Sequence, residues 1–94
     1  MRIVGRREIH SFMALHADSR QALAAWLTRM AAATWVGPQE VMVEYPRASV
    51  VRNGIMVFRI KGNDYRLAAR IDFANGVVRI VAVGTHAEYD RWRL

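Results

Sequence analysis

The sequence predicts an α+β fold in which N-terminal helices pack on one face of a mostly antiparallel β-sheet and a short helix closes the chain. Three observations carry that prediction. Apolar side chains recur at helical spacing up to about residue 45, whereas residues 55–83 alternate apolar and polar with the period of strands. The alternating region is punctuated by Arg52-Asn53-Gly54, Gly62-Asn63 and Asn75-Gly76, all suited to tight hairpins. Beyond it, Thr85-His86-Ala87-Glu88 has the S/T-x-x-E form that starts a helix.

Taken in order, Arg2–Val4 reads as an N-terminal edge strand. A helix from about Arg6 to His16 follows, with Ile9, Phe12 and Met13 as its buried stripe and His10 and His16 on the surface. Asp18 starts a second helix, with Gln21 three residues on in capping-box style, and Ala22, Leu23, Trp26, Leu27, Met30 and Ala33 form its apolar face. Trp26 there belongs to the core. Gly37-Pro38 breaks this helix, and Pro38 suits the first position of a third, which stops before Tyr45-Pro46 because the residue before proline avoids the helical region. Ala48–Val51 is the first strand of the main sheet, joined by Arg52-Asn53-Gly54 to a strand beginning near Ile55.

If Gly62-Asn63 and Asn75-Gly76 each occupy a two-residue loop, the registers follow by counting. The first hairpin sets Ile60 against Tyr65, Arg59 against Arg66 and Phe58 against Leu67. The second sets Asp72 against Arg79, Ile71 against Ile80, Arg70 against Val81 and Arg66 against Thr85. One face then collects Phe58, Ile60, Tyr65, Leu67, Ala69, Ile71, Phe73, Val78, Ile80 and Ala82 as core. The other collects Val57, Arg59, Lys61, Arg66, Ala68, Arg70, Asp72, Arg79, Val81 and Val83. A one-residue slip would exchange the faces, so the pattern argues for this pairing. Asp72 and Arg79 are expected to form a cross-strand ion pair. Arg59 opposite Arg66 sets like charges against each other, which is destabilising. With few acids near Lys61, Arg66 and Arg70, such a surface suggests that an anion binds there; a merely solvated charged face is the alternative.

The 94 residues suit one domain spanning 1–94, long enough for a modest core without staples. Cysteine is absent, which excludes disulfides and thiol nucleophiles. The basic start lacks the apolar stretch of a secretory signal, and no apolar run reaches membrane-spanning length, so a cytoplasmic protein with no membrane role is expected. Net charge is +6, and thirteen of the fourteen basic residues are arginine, the side chain suited to bidentate phosphate recognition. Residues 1–44 carry a balance of +1 and residues 45–94 carry +5, so the excess lies in the sheet and points to nucleic acid.

Chemistry gathers at the last helix. Thr85 caps it, His86 is its first residue, and free backbone N–H groups at such a start favour anions. The positive end of the helix dipole disfavours imidazolium, which suits His86 to accepting a proton. Tyr89, one turn on, can donate a hydrogen bond or stack a base. There is no phosphate-binding glycine loop, no nucleophile elbow and no metal-ligand cluster. What remains is cofactor-free cleavage of RNA, in which the 2′-hydroxyl attacks the adjacent phosphorus while the protein moves protons and neutralises developing charge.

The chain resembles the HigB toxins of bacterial type II toxin–antitoxin systems, within the wider RelE-like group of messenger-RNA interferases. The matching stretches are Arg2-Ile3 with the basic helix after it, Tyr45-Pro46-Arg47-Ala48-Ser49, Val57-Phe58-Arg59-Ile60-Lys61-Gly62-Asn63, Tyr65-Arg66-Leu67 and Gly84-Thr85-His86-Ala87-Glu88-Tyr89-Asp90. The resemblance implies a RelE-like α+β fold, cleavage of mRNA on the ribosome, and neutralisation by a HigA-like helix-turn-helix antitoxin. It implies a catalytic set of His86, Lys61, Arg66 and Tyr89, and Arg59, Lys61, Arg66, Arg70 and Thr85 are the candidates for contacting RNA. Two positions depart from the family pattern: Asp64 stands where a basic residue is expected, and Arg91 where a lysine is. Two other classes compete with the ribonuclease, a basic module that binds RNA or the ribosome and blocks translation without cutting, and a protein whose basic face only holds an acidic partner.

Overall fold

A computed structural model describes residues 1–94. Its elements run β1 (Arg2–Val4), α1 (Arg6–Leu15), a 3₁₀ turn (Ala17–Ser19), α2 (Arg20–Ala32), α3 (Pro38–Glu44), β2 (Ser49–Arg52), β3 (Ile55–Ile60), β4 (Tyr65–Asp72), β5 (Val77–Thr85) and α4 (His86–Tyr89). The strands form one five-stranded sheet in the order β1-β5-β4-β3-β2, antiparallel except where β1 joins β5 in parallel at an edge. The α+β class with helices on one face is as the sequence predicts. The helical stripe also holds, since Ile9 and Phe12 of α1 and Leu23, Trp26, Leu27 and Met30 of α2 are buried. They meet Phe58, Ile60, Leu67, Ala69, Ile71, Val78 and Ile80 in a single main core. Trp26 packs edge-on to Phe58, and its Nε1–H is buried without a partner.

Two local expectations near α2 fail. Asp18 does not cap the helix: α2 begins at Arg20, Ser19 stands at its cap position without a side-chain bond, and Ser19 Oγ donates instead to the His16 carbonyl. The Asp18 carboxylate reaches the sheet, where it is claimed by stronger partners. His16 is half-buried rather than on the surface, stacked on Phe12 with ring centroids 4.3 Å apart.

The first long hairpin has the register that counting gives, Ile60 with Tyr65, Arg59 with Arg66 and Phe58 with Leu67. Lys61 and Gly62 take left-handed backbone in its turn, at φ 54° and 65°. The second hairpin does not. Phe73–Gly76 form a four-residue turn, and Asp72 folds into it: Oδ1 accepts from the Asn75 N–H at 3.1 Å and Oδ2 from Asn75 Nδ2 at 2.8 Å. A short polar side chain bonding its own turn lengthens the loop and shifts the register. Asp72 therefore faces Val77, Arg70 faces Arg79, and the expected Asp72–Arg79 ion pair is absent.

A bulge then corrects part of the shift. Ala69 pairs with Ile80 and Ala68 with Ala82, leaving Val81 as the extra residue of β5. Beyond it the faces exchange: Val83 joins the main core, and Ala82 turns to the opposite face beside Ala68. Gly84, not Thr85, lies opposite Arg66, and Thr85 lies opposite Tyr65. The second face is not uniformly basic either. Ile55, Val57 and Ala68 make a small apolar patch there, covered by Tyr89, Trp92 and Leu94 of the C-terminal segment.

Candidate active site

The capping box forms as its sequence implies. Thr85 Oγ1 accepts from the Glu88 N–H at 3.1 Å, and Glu88 Oε1 accepts from the Thr85 N–H at 2.8 Å. Those bonds to Thr85 hold the Glu88 carboxyl below its ordinary pKa. The helix they start is a single turn, and two of its N–H groups are occupied. His86 N–H donates to the Asp64 carbonyl at 3.2 Å and Glu88 N–H to Thr85. The helix start is therefore less open to an anion than the sequence suggests, with the His86 and Glu88 N–H groups already bonded. What the arrangement does instead is fasten His86 to the β3–β4 turn.

At that corner His86 is exposed, with Nδ1 3.7 Å from Asp90 Oδ2. This leaves Nε2 as the ring nitrogen without a protein partner. The Tyr89 ring stands edge-on to His86, centroids 6.5 Å apart, and edge-on to Trp92 at 5.5 Å. Beneath Tyr89 lies Arg66, its guanidinium carbon 5.4 Å from the ring centroid. Arg66 is only 5% exposed. Nη2 donates to Asn63 Oδ1 at 2.7 Å, and Nη1 to the carbonyls of Asn63 at 3.0 Å and Tyr65 at 3.3 Å. The arginine that the sequence places on an open basic face is therefore roofed by an aromatic ring and committed to the turn.

Lys61 lies in the same turn and is also paired. Its Nζ reaches Asp18 Oδ2 at 2.8 Å and Asp64 Oδ2 at 3.8 Å. Asp18 Oδ1 accepts from the Tyr65 hydroxyl at 2.5 Å. The hydrogen bonds from Lys61 and then Tyr65 pull the Asp18 carboxyl below its ordinary pKa. Asp18 in turn raises Lys61 and Tyr65. The expectation that Lys61 lacks nearby acids is wrong, because its main partner comes from the segment between α1 and α2, far away in sequence.

The other candidates separate. Arg59 is exposed on β3 and lines a 260 Å³ cavity with Tyr45, Pro46, Arg47 and Gly62, next to the corner. Arg70 is four residues along β4 from Arg66, roughly 13 Å at strand spacing. It lies in the direction away from His86, with the apolar patch under Trp92 and Leu94 between them. Thr85 serves as the cap. The structure thus brings His86, Tyr89, Arg66 and, through Asp64, Lys61 to one corner, places Arg59 beside it and leaves Arg70 apart. Sequence reasoning missed Asp18, Asn63, Asp90 and Trp92 as parts of this corner. Asp90 was visible as the i+4 neighbour of His86; nothing local to Asp18 signals its partners. No group of three or more His, Asp or Glu side chains is placed to hold a metal ion, and no helix is long and apolar enough to cross a membrane.

A family model described as HigB_toxin, the RelE-like toxic component of a toxin-antitoxin system, matches residues 19–92. The chain has no significant match among curated proteins.

Proposed function

The chain belongs to the HigB toxin family, RelE-like toxic components of toxin–antitoxin systems, and from that premise we propose that it is an endoribonuclease that cleaves mRNA on the ribosome. Membership in the family implies an antitoxin partner; a HigA-like helix-turn-helix protein is the one proposed, with both acting in the cytoplasm. The observation that carries the ribonuclease reading is the corner itself, an exposed histidine with a free Nε2 held beside a tyrosine and two cations.

In this mechanism the 2′-oxygen attacks phosphorus and the P–O5′ bond breaks. The products are a 2′,3′-cyclic phosphate and a 5′-hydroxyl. His86 Nε2 handles the proton, with Asp90 orienting the ring from Nδ1. Lys61, half-exposed, is the cation available to the phosphorane charge once substrate competes with Asp18. Tyr89 presents its ring edge and hydroxyl beside His86, and Arg66 acts from beneath by holding Tyr89 and the turn. Arg59 and Arg70 contribute charge to the RNA backbone, and Thr85 contributes by fixing the helix start.

The burial of Arg66 and the pairing of Lys61 favour a second reading, a basic module that binds RNA or the ribosome and blocks translation without cutting. Mapping RNA ends on a defined mRNA, with and without ribosomes, separates the two. The ribonuclease reading expects 2′,3′-cyclic ends, persistence in EDTA, and a fall of about 10²–10⁴ for His86→Gln at saturating ribosome concentration. Translation arrest with intact mRNA would establish the binding module instead. Expression alone should arrest growth, and co-expression with the antitoxin should restore it.

A further inference from the structure

The register shift that dissolves the Asp72–Arg79 pair creates something else. Arg70 on β4 lies directly opposite Arg79 on β5, and Val4 of β1 pairs with Arg79 on the other side. Together with Arg2, these two arginines line a 330 Å³ cavity whose other walls are Asp72, Asn75 and Val77. All three arginines are exposed. None of their side chains makes a hydrogen bond or ion pair within the chain. Asp72, the acid at hand, has both carboxylate oxygens bound to Asn75. Three adjacent strands therefore hold three unpartnered guanidinium groups around one concavity.

Like charges opposite one another destabilise a sheet, and an anion between them relieves the repulsion. Guanidinium forks match the oxygens of phosphate two at a time. We propose that Arg2, Arg70 and Arg79 form a phosphate-binding site that grips the backbone of a polynucleotide at the end of the sheet away from His86. The assignment to RNA rests on the function proposed above; the anion site itself rests on the three arginines. Arg70 stands roughly 13 Å along β4 from Arg66. An acidic protein is the poorer occupant, because protein interfaces centre on apolar and aromatic contacts and Val77 is the only apolar wall.

The test uses a single-stranded 2′-O-methyl RNA, which the protein can bind but not cut, titrated at several salt concentrations. The proteins are the parent, Arg70→Gln, Arg79→Gln, their double variant, and Arg20→Gln, an exposed arginine on the helical side. The slope of log K against log salt should fall by about 0.7 for each of Arg70 and Arg79. Arg20→Gln changes net charge equally and should leave the slope unchanged. Equal effects from Arg20 and Arg79 would reduce the site to net charge and overturn it, as would no effect from either. Parallel titrations with inorganic phosphate and with poly-glutamate separate the ligand sources. Arginine-dependent binding of either one, without arginine-dependent binding of RNA, would overturn the polynucleotide assignment. Failure of the parent to bind RNA would do the same. Absence of mRNA cleavage by the parent would refute the ribonuclease reading alone, since this assay requires no cutting.

Discussion

Arg66→Ala separates what the sequence implies from what the structure implies. On an open basic face, Arg66 would contact phosphate, and its loss would lower RNA affinity and the salt slope while sparing the fold. In the structure it is a buried tie between the β3–β4 turn and the C-terminal segment. Alanine removes three hydrogen bonds from a charged donor and the cation beneath Tyr89. A hydrogen bond to a charged group contributes about 1.5–3 kcal/mol, and a cation against an aromatic face about 0.5–2 kcal/mol. Asn63 is exposed, so water replaces part of what its oxygens lose. A net cost of about 2–3 kcal/mol follows, or a fall in Tm on the order of 10–20 °C for a domain of this size. Urea denaturation followed by tryptophan fluorescence reads the change, with Arg59→Ala, its exposed cross-strand partner, as the control expected within about 0.5 kcal/mol of the parent. If Arg66→Ala is as stable as the control yet lowers the RNA salt slope, the guanidinium works in solvent and the buried placement is refuted.

Gly84→Ala places a Cβ 2.9 Å from Trp92 Cζ2 and 3.2 Å from Glu88 Cβ. It should cost about 1–3 kcal/mol by overpacking and shift Trp92 emission as the tail lifts. Thr85→Ala removes the Oγ1 half of the capping box, leaves the backbone N–H to Glu88 in place, and should cost about 1 kcal/mol, with cleavage falling further than stability because the helix start that carries His86 loosens; single-turnover rates beside melting curves check this. The Asp18 carboxyl is held below its ordinary pKa by Lys61 and Tyr65. The folded state therefore releases this proton more readily than the unfolded chain. The resulting stability is present above the unfolded value of about 3.9 and is lost as pH falls through the lower folded value. The parent's advantage over Asp18→Asn should accordingly hold at neutral pH and vanish in acid, measured by denaturation at a series of pH values.

Much of the fold was legible because its signals are local. Ile9, Phe12, Leu23, Trp26 and Met30 repeat at helical spacing, Pro38 and Pro46 bracket a helix, and Gly62 permits the left-handed turn that sets the first register. The corner was partly legible for the same reason, since Thr85, His86 and Glu88 declare their cap within four residues. Arg66 was not. Its burial depends on where Tyr89 and Trp92 fold back, and a six-residue tail carries no period that says so.

The second hairpin shows why counting fails where it does. Asp72 had two suitors, Arg79 across the strands and Asn75 in the turn. The turn wins because Asn75 offers two donors at once, one from the backbone, with almost no chain to order. That choice of one carboxylate propagates. It lengthens the loop, sets Arg70 against Arg79, and leaves the ladder to be reset by the bulge at Val81, which turns Val83 into the core. The basic face thereby divides into the corner around His86, whose cations are already paired, and a distant trio whose cations are not. Of the two arginines on β4 that face this side, the one nearer His86 belongs to the scaffold and the one farther away has no partner within the chain. Arg79, which counting neutralises against Asp72, becomes a residue whose loss should be felt in RNA binding.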